Sequence, residues 1–389
     1  MPGRHNHAAK AFMLFALFLS APVVVQPADI AVPHFSLTSR GNVENGTFGL
    51  ETRADVDLAL EGGYKFGGKL AFSFESTRLE EESAVPESYD AEVIRERLSR
   101  TLLFQSASVT IRRLFDIPLN MSYFAGRMGR FGTAEDFVTR FGTPNFGTSF
   151  RGYETFPDGV AYEGLYQIEG TGISFVTDAL AETYAVGAYT YQDPRLGAGK
   201  FSSDLRLQAN TDLLKAEVFL GASYPMARYG LYRAGLLTFF QTSRDARVRG
   251  EFFTQLGLPR LDPSTAADIS LEDFYFLFEP RLAFPSFSMA LTLFWHPEYY
   301  LQDATQEGGA LDANVRTIIG DPENSQIRGG LDTRMTYNPA ASQQLEVRAS
   351  PFLRVTASGI LWDFSIRARV YPFDLQESFD GLIGITTEF

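Results

Sequence analysis

Short segments in which apolar and polar residues alternate recur along this chain from about residue 47 to its end. In the segment 286–296, one set of alternate positions holds large apolar residues: Phe287, Met289, Leu291, Leu293 and Trp295. The positions between them are small or polar: Ser286, Ser288, Ala290 and Thr292. Successive side chains of a β-strand point to opposite faces of its sheet. The alternation therefore predicts strands with one apolar and one polar face.

The same pattern covers many further segments, most of them close to the roughly ten residues that a membrane-spanning strand requires. They are 54–60, 65–76, 119–126, 160–169, 205–210, 215–224, 248–258, 273–284, 327–337, 343–354, 360–370 and 382–389. We expect about 16 strands, with 18 as the alternative. Counts from the two ends of the chain disagree by one strand, so either 312–319 is a strand or one segment between 131 and 191 is not. The expected long loops are 78–100, 131–158, 259–272 and 297–326.

Residues 1–28 have the features of a signal peptide. Arg4 and Lys10 supply positive charge, residues 11–19 are apolar, and Gln26-Pro27-Ala28 forms the expected cleavage site. The whole chain has a formal net charge of −13, which argues against nucleic acid as a partner. The sequence contains no Cys, which excludes a disulfide scaffold, a thiolate metal site and a cysteine nucleophile.

No stretch after the leader approaches the roughly 18 uninterrupted apolar residues of a membrane helix. Aromatic residues nevertheless make up 14% of the chain, as expected of lipid-facing walls and interfacial girdles. Strands that cross a membrane must close into a barrel, because lipid offers no hydrogen-bond partner to an open sheet edge. The sequence therefore predicts an all-β fold, a transmembrane antiparallel β-barrel formed by residues 29–389 as one domain. A soluble β-sandwich, which also alternates, is the alternative fold.

The leader, the alternating segments and a last segment that ends on Phe389 together resemble bacterial outer-membrane β-barrels. The resemblance implies export across the inner membrane and residence in the outer-membrane lipid bilayer. It also implies that Ile383, Ile385 and Phe389 form a C-terminal signal through which the last strand contacts the barrel-assembly machinery.

The segment 126–169 resembles the third loop of general bacterial porins with its flanking strands. It holds Glu135 and Asp136, several glycines, and the aromatic residues Phe137, Phe141, Phe146, Phe150, Tyr153 and Phe156. The resemblance implies that the loop 131–158 folds into the barrel and narrows the pore as a constriction loop. The alternative is an outer loop that folds over the mouth of the barrel.

Arginine dominates the positive charge, with 29 Arg and 5 Lys. Many arginines fall on predicted lumen faces, and the pore-lining candidates are Arg328, Arg334, Arg348, Arg354, Arg367 and Arg369, with Arg206, Arg249 and Arg281 on other strands. Arginine stays ionised and can pair with several carboxylates. By resemblance to porins, these arginines form a wall opposite Glu135 and Asp136. Alternatively, neighbouring charges neutralise each other, as Arg348 could with Glu346 or Arg334 with Asp332.

An enzyme is not expected, because only His34 and His296 follow the leader and no nucleophile pattern accompanies them. Two histidines are also too few for a His-rich metal site, and no cofactor-binding motif occurs. The favoured function is a water-filled porin for passive diffusion of small hydrophilic solutes and ions. The resemblance to general porins also implies a homotrimer.

Two other functional classes stay open. One is a substrate-specific transporter of the fatty-acid type, because Asn338-Pro339-Ala340 matches a tripeptide of such barrels, although here it lies between predicted strands. The other is a surface adhesin or structural barrel with a blocked lumen.

Overall fold

The computed structural model describes residues 29–387, except for 45–46, 77–101, 150–164, 195–198, 225–229, 244–246, 264–268, 270, 297–309, 322–324, 340 and 374–377. The expected signal peptide, the expected loop 78–100 and Phe389 lie outside the described residues, as does the part of the expected constriction loop from residue 150 onward.

The chain forms one antiparallel sheet of 18 strands that closes on itself. The strands are β1 (Asp29–Glu44), β2 (Thr47–Gly62), β3 (Phe66–Ser76), β4 (Leu102–Ile111), β5 (Leu119–Phe131), β6 (Tyr166–Thr177), β7 (Tyr184–Gln192), β8 (Phe201–Asn210), β9 (Leu214–Tyr224), β10 (Leu231–Gln241), β11 (Arg249–Leu261), β12 (Tyr275–Phe284), β13 (Phe287–His296), β14 (Ala310–Ile319), β15 (Ile327–Tyr337), β16 (Leu345–Ala357), β17 (Ile360–Tyr371) and β18 (Phe379–Thr387). Each strand pairs with its neighbours in sequence, and β1 pairs with β18 from Phe35↔Thr387 to Asn42↔Asp380. The predicted all-β barrel is confirmed.

The strand count is 18, the alternative, and not the preferred 16. The strand β14 resolves the disagreement between the two counts, because it lies inside the segment 297–326 that we expected to be a loop. That expected loop is therefore wrong over Ala310–Ile319. The expected loop 259–272 also begins too early, since β11 continues to Leu261.

The two rims of the barrel differ in the length of their connections. The rim after odd-numbered strands, called here the loop end, carries the long connections 77–101, 132–165, 262–274 and 297–309. The rim after even-numbered strands, called the turn end, has short connections such as 63–65, 211–213, 285–286 and 358–359. In the last of these, Ser358 (φ 54°) and Gly359 (φ 79°) are both left-handed, as a two-residue type I′ hairpin requires.

The alternation of the sequence becomes an outer and an inner wall. On β13, Phe287, Met289 and Leu291 are exposed on the outside. Thr292 and Phe294 of the same strand are buried on the inside. A sheet that exposes large apolar side chains around its outside is suited to a lipid environment. No helix among the described residues is long and apolar enough to cross a membrane.

Candidate functional site

The connection between β5 and β6 turns into the barrel. Residues 132–149 of this connection are called here the inward segment, and Leu165 is the only other residue of the connection that the structure describes. The inward segment contains the helix α1 (Glu135–Phe141), which has acidic residues in its first turn and Arg140 in its last, an arrangement that suits the helix dipole. The helix ends at Gly142, whose left-handed conformation (φ 63°) lets its N–H donate to the carbonyl oxygen of Val138.

Aromatic side chains pack the inward segment against the inner wall. Phe137 and Phe146 of the segment contact each other with ring centroids 5.2 Å apart. Phe146 also stacks on Phe239 of β10 at 4.9 Å. Just before the segment, Phe131 stacks on Phe219 of β9 at 4.6 Å. All these rings are buried, so the lumen along β9 and β10 is filled by a hydrophobic core.

A dent in the inner wall holds the side chain of Leu165, the last residue of the connection between β5 and β6. Gly235 of β10 and Gly257 of β11 lie opposite each other in the sheet. A Cβ atom on either glycine would lie 2.9 Å from a side-chain carbon of Leu165, which is buried. Leu165 thus occupies the space of a side chain at Gly257, and at Gly235 the ring of Phe219 lies closer still.

A first set of hydrogen bonds fixes the start of the inward segment. The N–H of Gly132 donates to Glu217 Oε1 of β9 at 2.6 Å. The carbonyl oxygen of Gly132 accepts from Gln255 Nε2 of β11. Tyr275 donates in turn to Gln255 Oε1 at 2.9 Å and holds this amide in place. Both backbone groups of Gly132 are thus bound by buried side chains of the wall.

A second set fixes the other end of the segment. Glu279 of β12 accepts from the Thr148 hydroxyl at 2.7 Å and from the Ser149 N–H at 2.8 Å. Arg281 donates to the carbonyl oxygen of Gly147 at 2.6 Å. Arg316 of β14 donates to the carbonyl oxygen of Ser149 at 2.9 Å. The two sets together fix the segment on the inner face from β9 to β14.

The two acidic candidates of the segment differ in their surroundings. Glu135 is exposed. Asp136 forms an ion pair with Arg206 of β8 and a second one with Arg140, 3.5 Å away on the next helical turn. Asp136 therefore faces β8, and its charge is matched there rather than by the C-terminal arginines.

The six arginine candidates lie on the inner face of β15, β16 and β17. Four of them form these ion pairs with acids: Arg334 with Asp312 at 2.9 Å, Arg354 with Asp363 at 2.7 Å, Arg367 with Asp380 at 3.1 Å, and Arg348 with Glu346. The alternative pairing of Arg348 with Glu346 is thus present. The other alternative paired Arg334 with Asp332. Arg334 forms the ion pair named above with Asp312, and Asp332 lies 3.9 Å from Arg316. Arg328 and Arg369 occupy the inward positions opposite Arg354 and Arg348.

The arginines of the inner wall differ in exposure. The side chains of Arg206 on β8 and Arg233 on β10 are 2% and 3% exposed. Those of Arg348 and Arg354 on β16 are 25% and 26% exposed. Arg206 and Arg233 are therefore buried, while solvent reaches Arg348 and Arg354. The division is not complete, because Arg249 of β11 is 28% exposed and Arg367 of β17 is 3% exposed.

Small residues line a further part of the inner wall. Ser106, Ser108 and Thr110 of β4 border a cavity of about 220 Å³ together with Gly67 of β3. The Thr110 hydroxyl lies 2.8 Å from the hydroxyl of Ser122 on β5. A larger cavity, of about 1200 Å³, lies between the inward segment and β8–β12 and is lined by Lys215, Arg249 and Arg281 among others.

Several residues that organise the interior were not singled out from the sequence. Besides Glu217, Gln255 and Glu279, Arg233 forms a buried ion pair with Asp204 at 2.6 Å, and its guanidinium lies 4.1 Å from the centre of the Tyr166 ring. The one signal in the sequence was their position on the polar face of alternating strands.

By its architecture the chain is a closed antiparallel β-barrel with a segment folded into the lumen. OccAB2 of Acinetobacter baumannii aligns over 93% of this chain and 98% of its own, with a TM-score of 0.52 and 10% identity. OccK8 (OprE) of Pseudomonas aeruginosa aligns over 93% and 98%, with a TM-score of 0.51 and 7% identity. At such identities the likeness concerns the fold. No protein-family model and no curated protein matches the sequence.

Proposed function

We propose that the protein is an outer-membrane porin, a water-filled pore for passive diffusion of small hydrophilic solutes and ions. The observation that carries this proposal is the unequal filling of the lumen. Buried aromatic rings occupy the side of β9 and β10, whereas Arg348 and Arg354 on β16 keep about a quarter of their side-chain surface exposed. A charged and solvated inner wall favours polar solutes over apolar ones.

The inward segment acts in this proposal as the constriction loop, of which residues 150–158 are also part. Its position beside an arginine wall makes the pore narrow and eccentric. In this proposal the arginines Arg328, Arg334, Arg348, Arg354, Arg367 and Arg369 form the wall that sets the ion preference, with Arg348 and Arg354 in contact with solvent and Arg367 buried behind them. Rings of charged side chains tune selectivity in channels through electrostatics.

The exposed apolar outer wall supports a location in a lipid bilayer, and the leader supports export to the bacterial outer membrane. Ile383 and Ile385 of β18, followed by Phe389, serve in this proposal as the signal for the barrel-assembly machinery. The functional unit is a homotrimer, by the resemblance to general porins. Cross-linking of the protein in native membranes tests the oligomer, and a monomer band alone would contradict it.

Swelling of proteoliposomes in neutral sugars of increasing size tests passive diffusion directly. We expect the swelling rate to fall steeply with sugar size, because the pore is narrowed by the inward segment. Proteoliposomes that contain folded protein and do not swell in the smallest sugar would contradict the proposal.

A further inference from the structure

The cavity of about 1200 Å³ beside the inward segment forms a compartment of its own in the lumen. It separates residues 140–146 of the segment from the inner wall of β8 to β12. Residues of the turn-end connections 178–183 and 211–213 also border it, and among them Glu182 and Asp212 are exposed. A solute can therefore reach this cavity from the turn end without passing the inward segment.

The charged groups on the wall of the cavity are paired with each other. Glu251 of β11 forms ion pairs with Arg249 at 2.6 Å and with Arg281 at 3.5 Å. An ion of either sign would have to compete there with a partner that is already in place. A carboxylate has about four acceptor sites and a guanidinium five N–H donors, so paired groups can still form hydrogen bonds with hydroxyls. The pairing therefore favours a neutral ligand that is rich in hydroxyl groups.

Two further basic residues of the lining are held by their neighbours. Arg140 of the inward segment pairs with Asp136 at 3.5 Å. Lys215 of β9 is buried, and its ammonium group lies 5.8 Å and 5.7 Å from the centres of the Phe146 and Phe239 rings. An aromatic ring attracts a cation that lies over its face. These two cations thus follow the same rule as the pairs on the wall.

The rest of the lining combines neutral hydrogen-bonding groups with an apolar ring. Three amide side chains, each able to donate and to accept, line the cavity: Asn145, Asn210 and Gln241. Phe141, the last residue of α1, also lines it and is only partly buried. A pyranose sugar has hydroxyls around its edge and C–H groups on its faces. Its edge matches the amides and its face matches the aromatic ring.

The hairpin at the rim of the cavity has an unusual backbone. Ala181 (φ 50°) and Glu182 (φ 60°) are both left-handed, a conformation that residues other than Gly, Asn and Asp rarely adopt. Both residues border the cavity. Backbone strain of this kind is concentrated at ligand sites. The hairpin therefore supports a ligand site at this rim.

We propose that this cavity binds a neutral sugar of one or two pyranose rings. The inference rests on the proposed function only for the supply of the sugar. Ligand pockets commonly have volumes of about 300–1,000 Å³, so the cavity has room for a disaccharide. The ring of Phe141 supports one face of the sugar, and the Asn145 amide and the Glu251 carboxylate bind its hydroxyls.

Saturation-transfer NMR of the folded protein, in a detergent without a sugar headgroup, tests the site without depending on conduction. The probes are glucose and maltose, with succinate as the anionic comparison. We expect at least one sugar to bind, and succinate to bind at least about tenfold more weakly. Phe141→Leu keeps an apolar side chain but removes the ring, and it should weaken sugar binding about tenfold. Asn145→Ala should also weaken it and serves if Phe141→Leu does not fold, since Asn145 is exposed.

Phe352→Leu is the matched control. Phe352 of β16 is likewise a partly buried phenylalanine of the inner wall, with the guanidinium groups of Arg316 and Arg354 4.9 Å and 5.3 Å from its ring centre, but it does not line this cavity. We expect it to change the affinity for the sugar less than about twofold.

Three results would overturn the site: failure of both sugars to bind, tighter binding of succinate than of either sugar, or equal weakening by Phe352→Leu. Sugar binding by a protein that does not conduct would leave the site standing and refute the pore. Conduction without sugar binding would refute the site and leave the pore standing.

Discussion

The carboxylate of Glu279 on β12 accepts a hydrogen bond of 2.7 Å from the hydroxyl of Thr148 in the inward segment, although the two residues are 131 positions apart in sequence. The same carboxylate accepts from the Ser149 N–H and from Arg281 Nε. One buried acid thus joins the far end of the inward segment to the opposite wall of the barrel. The path of the segment through the lumen depends on contacts of this kind.

Replacing Glu279 by Ala should release this end of the inward segment. Arg281 then loses its nearer acidic partner, at 2.6 Å, and keeps Glu251 at 3.5 Å. The cost should therefore stay below the about 3–5 kcal/mol of a buried charge left without any partner. We expect a larger and noisier single-channel conductance, together with a lower unfolding temperature.

The control for this variant is Thr292→Val. Thr292 donates to Glu279 Oε2 at 2.8 Å from β13, outside the inward segment. The conductance of the Thr292→Val variant should equal that of the wild type. Equal conductance of Glu279→Ala and wild type would show that Glu279 does not hold the segment.

Replacing Gly257 by Ala should destabilise the barrel, because the new Cβ would lie 2.9 Å from Leu165. Overpacking of a filled site costs about 1–3 kcal/mol. The unfolding temperature, followed by the shift in migration of heated samples, should fall. Gly129→Ala is the control, since no atom lies within 4 Å of its Cβ position. An unchanged unfolding temperature for Gly257→Ala would contradict the packing of Leu165 in the dent.

Single cysteines should report which side of the lumen is open, because the natural sequence contains none. Arg354→Cys on the solvated side should react with a water-soluble anionic thiol reagent at least about tenfold faster than Gln208→Cys, since access controls thiol reactivity. Gln208 is 3% exposed and lies on β8, on the filled side. Mass spectrometry measures both rates. Similar rates would contradict the eccentric pore.

Replacing Arg348, Arg354, Arg367 and Arg369 together by Gln should move ion preference toward cations. Their partners Glu346, Asp363 and Asp380 then remain on the wall without these positive charges. The reversal potential under a salt gradient measures the change. An unchanged reversal potential would show that the arginine wall does not set selectivity.

The alternation in the sequence was sufficient to predict strands such as β15, whose bounds match the predicted segment 327–337. It failed at β14, although Asp312, Asn314 and Arg316 alternate there with Leu311, Val315 and Ile319. This strand is flanked by polar connections, and its charged inner face made the whole stretch look like a loop. A strand with a charged inner face is therefore harder to recognise from the sequence than a strand that is mostly hydrophobic.

The interior could be predicted only in part. The inner-face position of an arginine follows from the period of two, which holds along the strands except at bulges such as that between Arg127 and Gly129 of β5. The partner of Asp136 does not follow from it, because Arg206 meets this residue only after the inward segment has folded back across the lumen. The same holds for Gly132, whose backbone is bound by Glu217 and Gln255 of two later strands. Such contacts form only once the barrel has closed and the inward segment has folded into it, so they leave no local pattern in the sequence.

Single-channel recording in a planar bilayer, with the reversal potential measured under a salt gradient, tests the central claim most directly. The refolded wild-type protein should open in steps of constant size, because its lumen has an open, charged side next to the filled one. The reversal potential should differ from zero, because the open side is lined by arginine. A correctly folded barrel that inserts and stays silent would contradict the account, since the inward segment would then close the lumen completely.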